Sequence, residues 1–331
     1  MALILFTEPD REEALSCLMK RCAYVLIPVS VLFIKYFPQL GIGFDPWSGR
    51  ALATGITTNK NTLGHDCLIL GFFFFWHLLK TWHREKSTAR RNELFFCLFF
   101  LGMIWWLMKM SQSSTSLVSL LIGMATVLFL GLRIVNVRYI GIYVVAGIVL
   151  CVLAQLMFDV YGQVIHMVGR NPTLTDRTLI WKALLQIDIN PVIGTGFESF
   201  WTGERQRKMS GLFFSELNEA HNGYLETYIN LGIIGVLLML LLIFTAFRKG
   251  CHEILANFEW GRFRLGFLAA FVFYNWTEAA FKAEHAVWFV FYIIAMDYPK
   301  PQIRIAEKSP EVTESEGNED LIYAEDEIQK N

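Results

Sequence analysis

Apolar residues along this chain of 331 residues gather in long blocks instead of one-faced stripes. Eight blocks stand out, at residues 22–37, 63–79, 94–108, 117–132, 140–158, 224–247, 265–280 and 285–296. A helix needs roughly 20 apolar residues to cross a hydrocarbon core of about 30 Å. The third and eighth blocks are the shortest. Residues 72–76 and 236–243 carry no polar position at all. The surface helices of a soluble all-α core would show one at a 3.6-residue period. In lipid, by contrast, a helix satisfies its own backbone groups. The pattern predicts an all-α fold: a polytopic membrane helix bundle of about eight transmembrane helices, with one long outside loop over residues 159–222.

Composition agrees. Apolar types make up 54% of the chain and charged residues 18%, against about 25% charged in ordinary soluble domains. The net charge of −1 averages two unlike parts, a body at +6 and an acidic tail from Ala306 to Asn331 at −7. Lys and Arg fall between alternate blocks: Lys20 and Arg21, then the 80–91 stretch, Arg133 and Arg138, the 248–264 stretch, and Lys300 and Arg304. Positive charge marks the cytoplasmic side, so both termini are expected inside. Loops 38–62, 111–116, 159–222 and 281–284 are expected outside. The division is then a cytoplasmic N-terminal segment (1–21), a membrane domain (22–298), and a disordered, solvated tail (299–331). No apolar stretch ahead of a cleavage site marks a signal peptide in residues 1–14. The six cysteines show no Cys-x-x-Cys and read as small apolar filler. No basic run is interleaved for nucleic acid.

Chemistry is expected in loop 159–222, since loops this long usually serve a function. Thr173 and Asp176 resemble a capping box. Ile180, Trp181, Leu184, Leu185 and Ile187 then give one apolar helix face, with Arg177 in the first turn. This amphipathic helix is expected on the membrane surface or against the bundle. Asn190-Pro191 ends it, and Gly194-Thr195-Gly196 makes a tight turn. Glu198, Glu204, Arg205, Arg207 and Lys208 read as a solvated face. His221 follows, crowded by Glu219, Asn222 and Glu226 at the outer mouth of the sixth block. With an ordinary pKa of about 6.5, a neutral His there can act as a base. Arg50, Lys60 and Asn61 lie in the first outside loop, where the two cations serve either to hold phosphates or to anchor the interface. The hydroxyl run 111–116 either donates to substrate or satisfies its own helix.

Zinc-type His/Cys spacings, a Walker loop and a Gly-x-Ser-x-Gly elbow are all missing from the sequence. Neither metal nor cofactor is therefore expected. Cations, one His and carboxylates on the outer face suit a diphosphate leaving group and an attacking hydroxyl. A lipid carrier would account for a site at the bilayer surface.

These residues resemble a known family. The runs 174–181, 190–197, 221–226 and 232–235, in that order, are similar to the core of the bacterial O-antigen ligases, a family that also holds repeat-unit polymerases. Residues 47–49, 59–64 and 111–116 look closest to its exopolysaccharide-polymerase branch. The resemblance implies an inner-membrane glycosyltransferase using undecaprenyl-diphosphate-linked glycans at the periplasmic face, without metal. It implies His221 as general base, Arg177 as diphosphate ligand, and Lys60 or Arg50 as second cation. Asn222, Glu219, Glu226 and Asn61 would bind glycan or orient the site. The implied partners are the lipid-linked glycan, the bilayer, and other polysaccharide export or chain-length proteins. Two departures from the family stand out. Residues 113–115 carry hydroxyls where many ligases have Arg, which favours polymerase over ligase. Family members also usually have more spans ahead of Lys20, so the chain reads as an abridged form. From another class, a polysaccharide-related transporter would place ionisable groups at mid-span; here Asp66, Glu278, Lys282, Glu284 and His285 fall at the outer ends.

Overall fold

The computed structural model describes residue 8, residues 10–44, 49, 51–158, 177–213 and 217–296. Arg50, the 171–176 helix start and the 299–331 tail lie outside these residues. The fold is mostly helical: α1 (Arg11–Tyr36), α2 (Pro38–Gly41), α3 (Lys60–Trp82), α4 (Thr88–Ser111), α5 (Ser114–Leu130), α6 (Ile140–Phe158), α7 (Arg177–Leu185), α8 (Gly203–Phe213), α9 (Gly223–Ala256), α10 (Phe258–Thr277) and α11 (Ala286–Ala295). Helix starts carry polar caps, as expected where the first amides lack partners. Asn59 caps α3, Ser87 caps α4, Asn222 caps α9 and Asn257 caps α10.

The chain is polytopic by its apolar helices. Four of them, α1 from Glu12, α3, α4 and α9, are long and apolar enough to cross a membrane. Apolar helices over Ser114–Leu130, Val137–Leu150 and Ala286–Ala295 are shorter. The expectation of an all-α chain needs one correction. Strands β1 (Ile42–Phe44) and β2 (Ala51–Ala53) pair antiparallel, Gly43 opposite Leu52. Their backbone groups lie in an extended loop with no helix to satisfy them, so they satisfy each other.

Helix α3 is the central helix. Its Leu68, Phe72, Phe73, Phe74 and Trp76 are fully buried. Phe72 and Trp76 meet Phe263 of α10 at ring-centroid distances of 5.4 and 4.8 Å. Close helix approach comes from small residues, as is usual where lipid tails supply no hydrophobic drive. A Cβ on Gly266 of α10 would sit 2.6 Å from Val127 of α5 and 3.2 Å from the Gly123 carbonyl. On the outside of the bundle, Phe95, Leu98 and Phe99 of α4 and Leu237, Leu238 and Leu241 of α9 are exposed. Such apolar surface fits a lipid-facing wall.

Helix α9 is 34 residues long, roughly 51 Å at 1.5 Å per residue, and it is broken. Gly232 stands at φ 64°, ψ −163°. Segment 190–196 fills the break. Ile233 N donates to Pro191 O (2.9 Å), Thr195 N to Ile229 O (3.1 Å), and Gly196 N to Asn230 O (2.9 Å). The Gly-Thr-Gly turn read from the sequence therefore supplies the backbone partners that the broken helix lacks. A break inside so apolar a helix persists only where protein satisfies the freed backbone groups.

Candidate functional site

The segment between α6 and α9 builds its own small core. Ile180 and Leu184 of α7, Phe200, Met209 of α8, Leu217, Ala220 and Ile229 are buried together. The charged stretch 204–208, read from sequence as a solvated face, is helical, and Met209 anchors it. Trp181 Nε1 donates to Ala220 O at 2.9 Å, tying α7 to the turn that carries His221. Glu226 fixes that turn from below. Its carboxylate accepts from Ala220 N and Trp201 Nε1, both at 2.7 Å, and from Asn230 Nδ2 at 3.0 Å. Asn222 accepts from Leu225 N at 3.0 Å as the α9 cap. Between these two holds His221 adopts φ 48°. A left-handed non-glycine residue is uncommon, and strain of this kind gathers at functional sites.

Five charged side chains, His221 at their centre, meet in alternating sign. Lys282 Nζ lies 2.7 Å from Glu219 Oε2. Glu219 Oε1 lies 3.0 Å from His221 Nδ1, and Glu278 Oε2 lies 3.5 Å from the same nitrogen. Nδ1 is buried and aligned with neither oxygen closely enough to count as a hydrogen bond, so the attraction is ionic. Glu278 Oε1 in turn accepts from Arg177 Nη2 at 2.7 Å, and Arg177 Nη1 donates to Thr277 O. Glu278 is buried at the C-cap of α10, and its carbonyl accepts from Gly223 N at 3.0 Å. The ends of α7, α9 and α10 thus share one ionic chain, Lys282–Glu219–His221–Glu278–Arg177.

This chain sets the proton inventory. Burial alone would lower the His221 pKa, but Glu219 and Glu278 outweigh it and raise it to about 9. Burial would raise Glu219; His221 and Lys282 outweigh it and hold that carboxyl down at about 2. The sequence suggested a neutral imidazole near pH 7. The structure keeps it protonated there, because two carboxylates face one ring nitrogen. Nε2 is the nitrogen that the carboxylates leave unengaged.

The structure brings together Arg177, His221, Glu219, Asn222 and Glu226. Lys60 and Asn61 open α3, where Asn59 Oδ1 accepts from Asn61 N at 3.0 Å; the five-membered ionic chain does not include them. The hydroxyl run turns inward. Ser113 Oγ donates to Ser116 Oγ at 2.9 Å, Ser119 Oγ to Thr115 O at 2.7 Å, and Thr115 Oγ1 lies 2.8 Å from Thr277 Oγ1. Sequence reasoning missed Glu278 and Lys282 as site members. The signal was available, since Glu278 fell inside the expected span 265–280, and an ionisable residue there is a functional candidate by default.

A cavity of about 50 Å³ opens beside Lys282, lined also by Phe197, Glu198, Thr227, Asn230 and Phe281. Among the described residues, two donor sets could hold a divalent cation. Glu219, His221 and Glu278 form one; His77, Glu93 and Cys97 form another, each within 4.8 Å. In both, a cationic side chain already sits on a carboxylate: Arg177 and Lys282 in the first, Lys20 at 2.5 Å from Glu93 in the second.

The resemblance read from the sequence is borne out. The profile of the family described as O-antigen ligase matches residues 96–240. That stretch runs from α4 through the break in α9 and contains Arg177 and His221, but stops short of Glu278 and Lys282. The chain is also similar to the exopolysaccharide production protein ExoQ of Rhizobium meliloti (strain 1021), at 23% identity over 242 residues. The match takes in 68% of this chain and 51% of that protein, so the chain spans about half the length of the curated relative. Both similarities are to proteins described by O-antigen ligation or exopolysaccharide production.

Proposed function

From that kinship we propose that the chain is a membrane glycosyltransferase that polymerises undecaprenyl-diphosphate-linked repeat units at the periplasmic face of the bacterial inner membrane. The observation that carries the reading is the ionic chain, in which Glu278 joins Arg177 to His221. The eight apolar blocks are taken as eight spans. His221, Arg177 and the α7–α8 segment then share the outer side, opposite Lys20, Arg84 and Arg91.

In the reaction, a hydroxyl of the acceptor glycan attacks the anomeric carbon of the donor sugar. The bond from that carbon to the phosphate oxygen breaks, and the lipid diphosphate leaves with the added negative charge. Arg177 and Lys282 are the cations placed to take that charge as they release Glu278 and Glu219. This supply of positive charge supports transfer without a metal. The hydroxyl proton goes to His221 Nε2, and Glu219 and Glu278, which face Nδ1 at 3.0 and 3.5 Å, stabilise the imidazolium that forms. Base catalysis of this kind contributes typically 10²–10⁴-fold. Only the neutral imidazole can accept, so the reactive fraction grows with pH up to about 9. Phe197 and Phe281 give the acceptor sugar two aromatic faces beside the polar cavity. Asn222 and Glu226 act by fixing the His221 turn.

The test is His221→Ala and Arg177→Ala in a strain that makes the polymer. Loss of polymer with the protein still in the membrane is expected; unchanged polymer would leave only a scaffold or transport role. Activity is also expected to survive chelators, and rescue by added Mg²⁺ after chelation would overturn the metal-free mechanism.

A further inference from the structure

A pair of imidazoles stands next to the ionic chain and is unused by the reaction above. His65 of α3 and His285, the cap of α11, approach with ring centroids 4.5 Å apart. His285 is tied to the site by its backbone: its N–H donates to Lys282 O at 3.0 Å, and Lys282 holds Glu219. Tyr274 of α10 lies on another side of the ring, centroids 5.9 Å apart.

The cap fixes the tautomer. His285 Nδ1 accepts the Val287 N–H at 3.2 Å, so that nitrogen carries the lone pair. The ring proton must then sit on Nε2, which finds no protein acceptor among the described residues. Protonating Nδ1 would break the cap and add charge beside other cations. His65 is itself 3.3 Å from Asp66, and Glu284 precedes His285 in the chain. With Nδ1 committed to the cap, the ring is a neutral N–H donor at the positive end of a ten-residue helix.

We propose that His285 is a second substrate-binding imidazole, whose Nε2–H donates to a phosphoryl oxygen of the lipid diphosphate, with His65 packed behind it to hold the ring in place. The inference rests on the proposed reaction for its substrate. Its chemistry is complementary to that of His221. One ring is cationic at rest and changes protonation during turnover, whereas the other stays neutral and only donates. Because it donates without titrating, His285 can grip the diphosphate without competing for the acceptor proton.

The cap and the donor can be separated by substitution. Asn and Ser are good helix caps, so His285→Asn and His285→Ser keep the bond to Val287 N–H and remove the distal donor. The measurements are melting temperature, binding of undecaprenyl diphosphate to the full chain in nanodiscs, and transfer rate between pH 6 and 9. Wild-type melting is expected, with affinity and rate reduced roughly tenfold or more, the range for a hydrogen bond to a charged group. The reduction should be the same at every pH, with the ascending limb of the rate profile unmoved. Wild-type affinity in both variants would overturn the proposal. So would losses that merely track melting temperature across His285→Asn, His285→Ser and His285→Ala. Failure of the reaction itself would read differently: His221→Ala would keep its transfer rate, while the binding measurement on His285 stands alone.

Discussion

His221 concentrates the residue-scale physics. Its folded pKa of about 9 lies above the ordinary 6.5, so its contribution to stability is complete below pH 6.5 and fades as pH rises through about 9. Glu219 works in the opposite direction. Held near 2 against an ordinary 4.5, it contributes stability above pH 4.5 and loses it as pH falls toward 2. Melting temperature measured from pH 6 to 10 in detergent is expected to decline across the upper window in the wild type and less in His221→Gln. Catalysis should show the same group from the other side. The transfer rate is expected to rise about tenfold per pH unit below the His221 pKa. Glu219→Gln, by removing one of the two carboxylates, should move that limb about one unit or more toward acid. A flat profile, or one unmoved by Glu219→Gln, would mean that this imidazole is not the base. Arg177 and His221 were legible in the sequence because each stands beside a distinct local signal, a helix start and a polar cluster at a span end. The protonated state was not legible, because Glu278 approaches from 57 positions away in the chain and only folding brings it to the ring.

At the scale of elements, the break in α9 is the feature that positions the site. Residues 222–231 place Asn222, Glu226 and Asn230 under the His221 turn, while the helix beyond Gly232 continues on a new course. The apolar block 224–247 runs on through Gly232 without a mark, since glycine breaks no apolar run by composition. The positive φ that breaks the helix leaves no mark on hydropathy. What the sequence does carry is the pairing of Gly194 and Gly232, two positions where a Cβ would lie 2.3–2.6 Å from backbone atoms of the other segment. Gly232→Ala is expected to destabilise the protein by about 1–3 kcal/mol through backbone strain alone, with added cost from the clash with Val192. Thermal unfolding or surviving membrane-embedded protein reads this. A variant as stable as the wild type would show that the 190–196 plug does not seat in the break. The hydroxyl run 111–116 teaches the same lesson. Its composition suggested two roles, and close packing decided for the internal one, because Gly64 of α3 lets Ser113 and Ser116 approach where a Cβ would lie 2.5–2.8 Å away.

For the whole molecule, the helical class and the places of its apolar segments were readable from hydropathy, because lipid leaves so few alternatives for the backbone. The small core of Ile180, Leu184, Phe200, Met209 and Ile229 was not readable as a unit, since its members come from four separate segments with mixed polarity. The distribution of Lys and Arg predicts the sidedness. Cysteine placed at Lys208 on α8 is expected to react with an impermeant reagent added outside, and one placed at Ser87 is not; the reverse result would invert the topology and move the site to the cytoplasm. Product length separates the two neighbouring activities. In a deletion strain, single repeat units indicate the loss of a polymerase, and full-length chains left on the carrier lipid the loss of a ligase.

All of this depends on one imidazole and one guanidinium, bridged by Glu278, acting on a single lipid-linked diphosphate. The most direct measurement is the single-turnover rate of glycan transfer by purified protein in proteoliposomes, with one defined lipid-diphosphate donor, for the wild type, His221→Ala and Arg177→Ala. Each variant is expected to fall by about 10² or more while its melting temperature shows an intact fold. Transfer by His221→Ala at the wild-type rate would contradict the proposed role of this site.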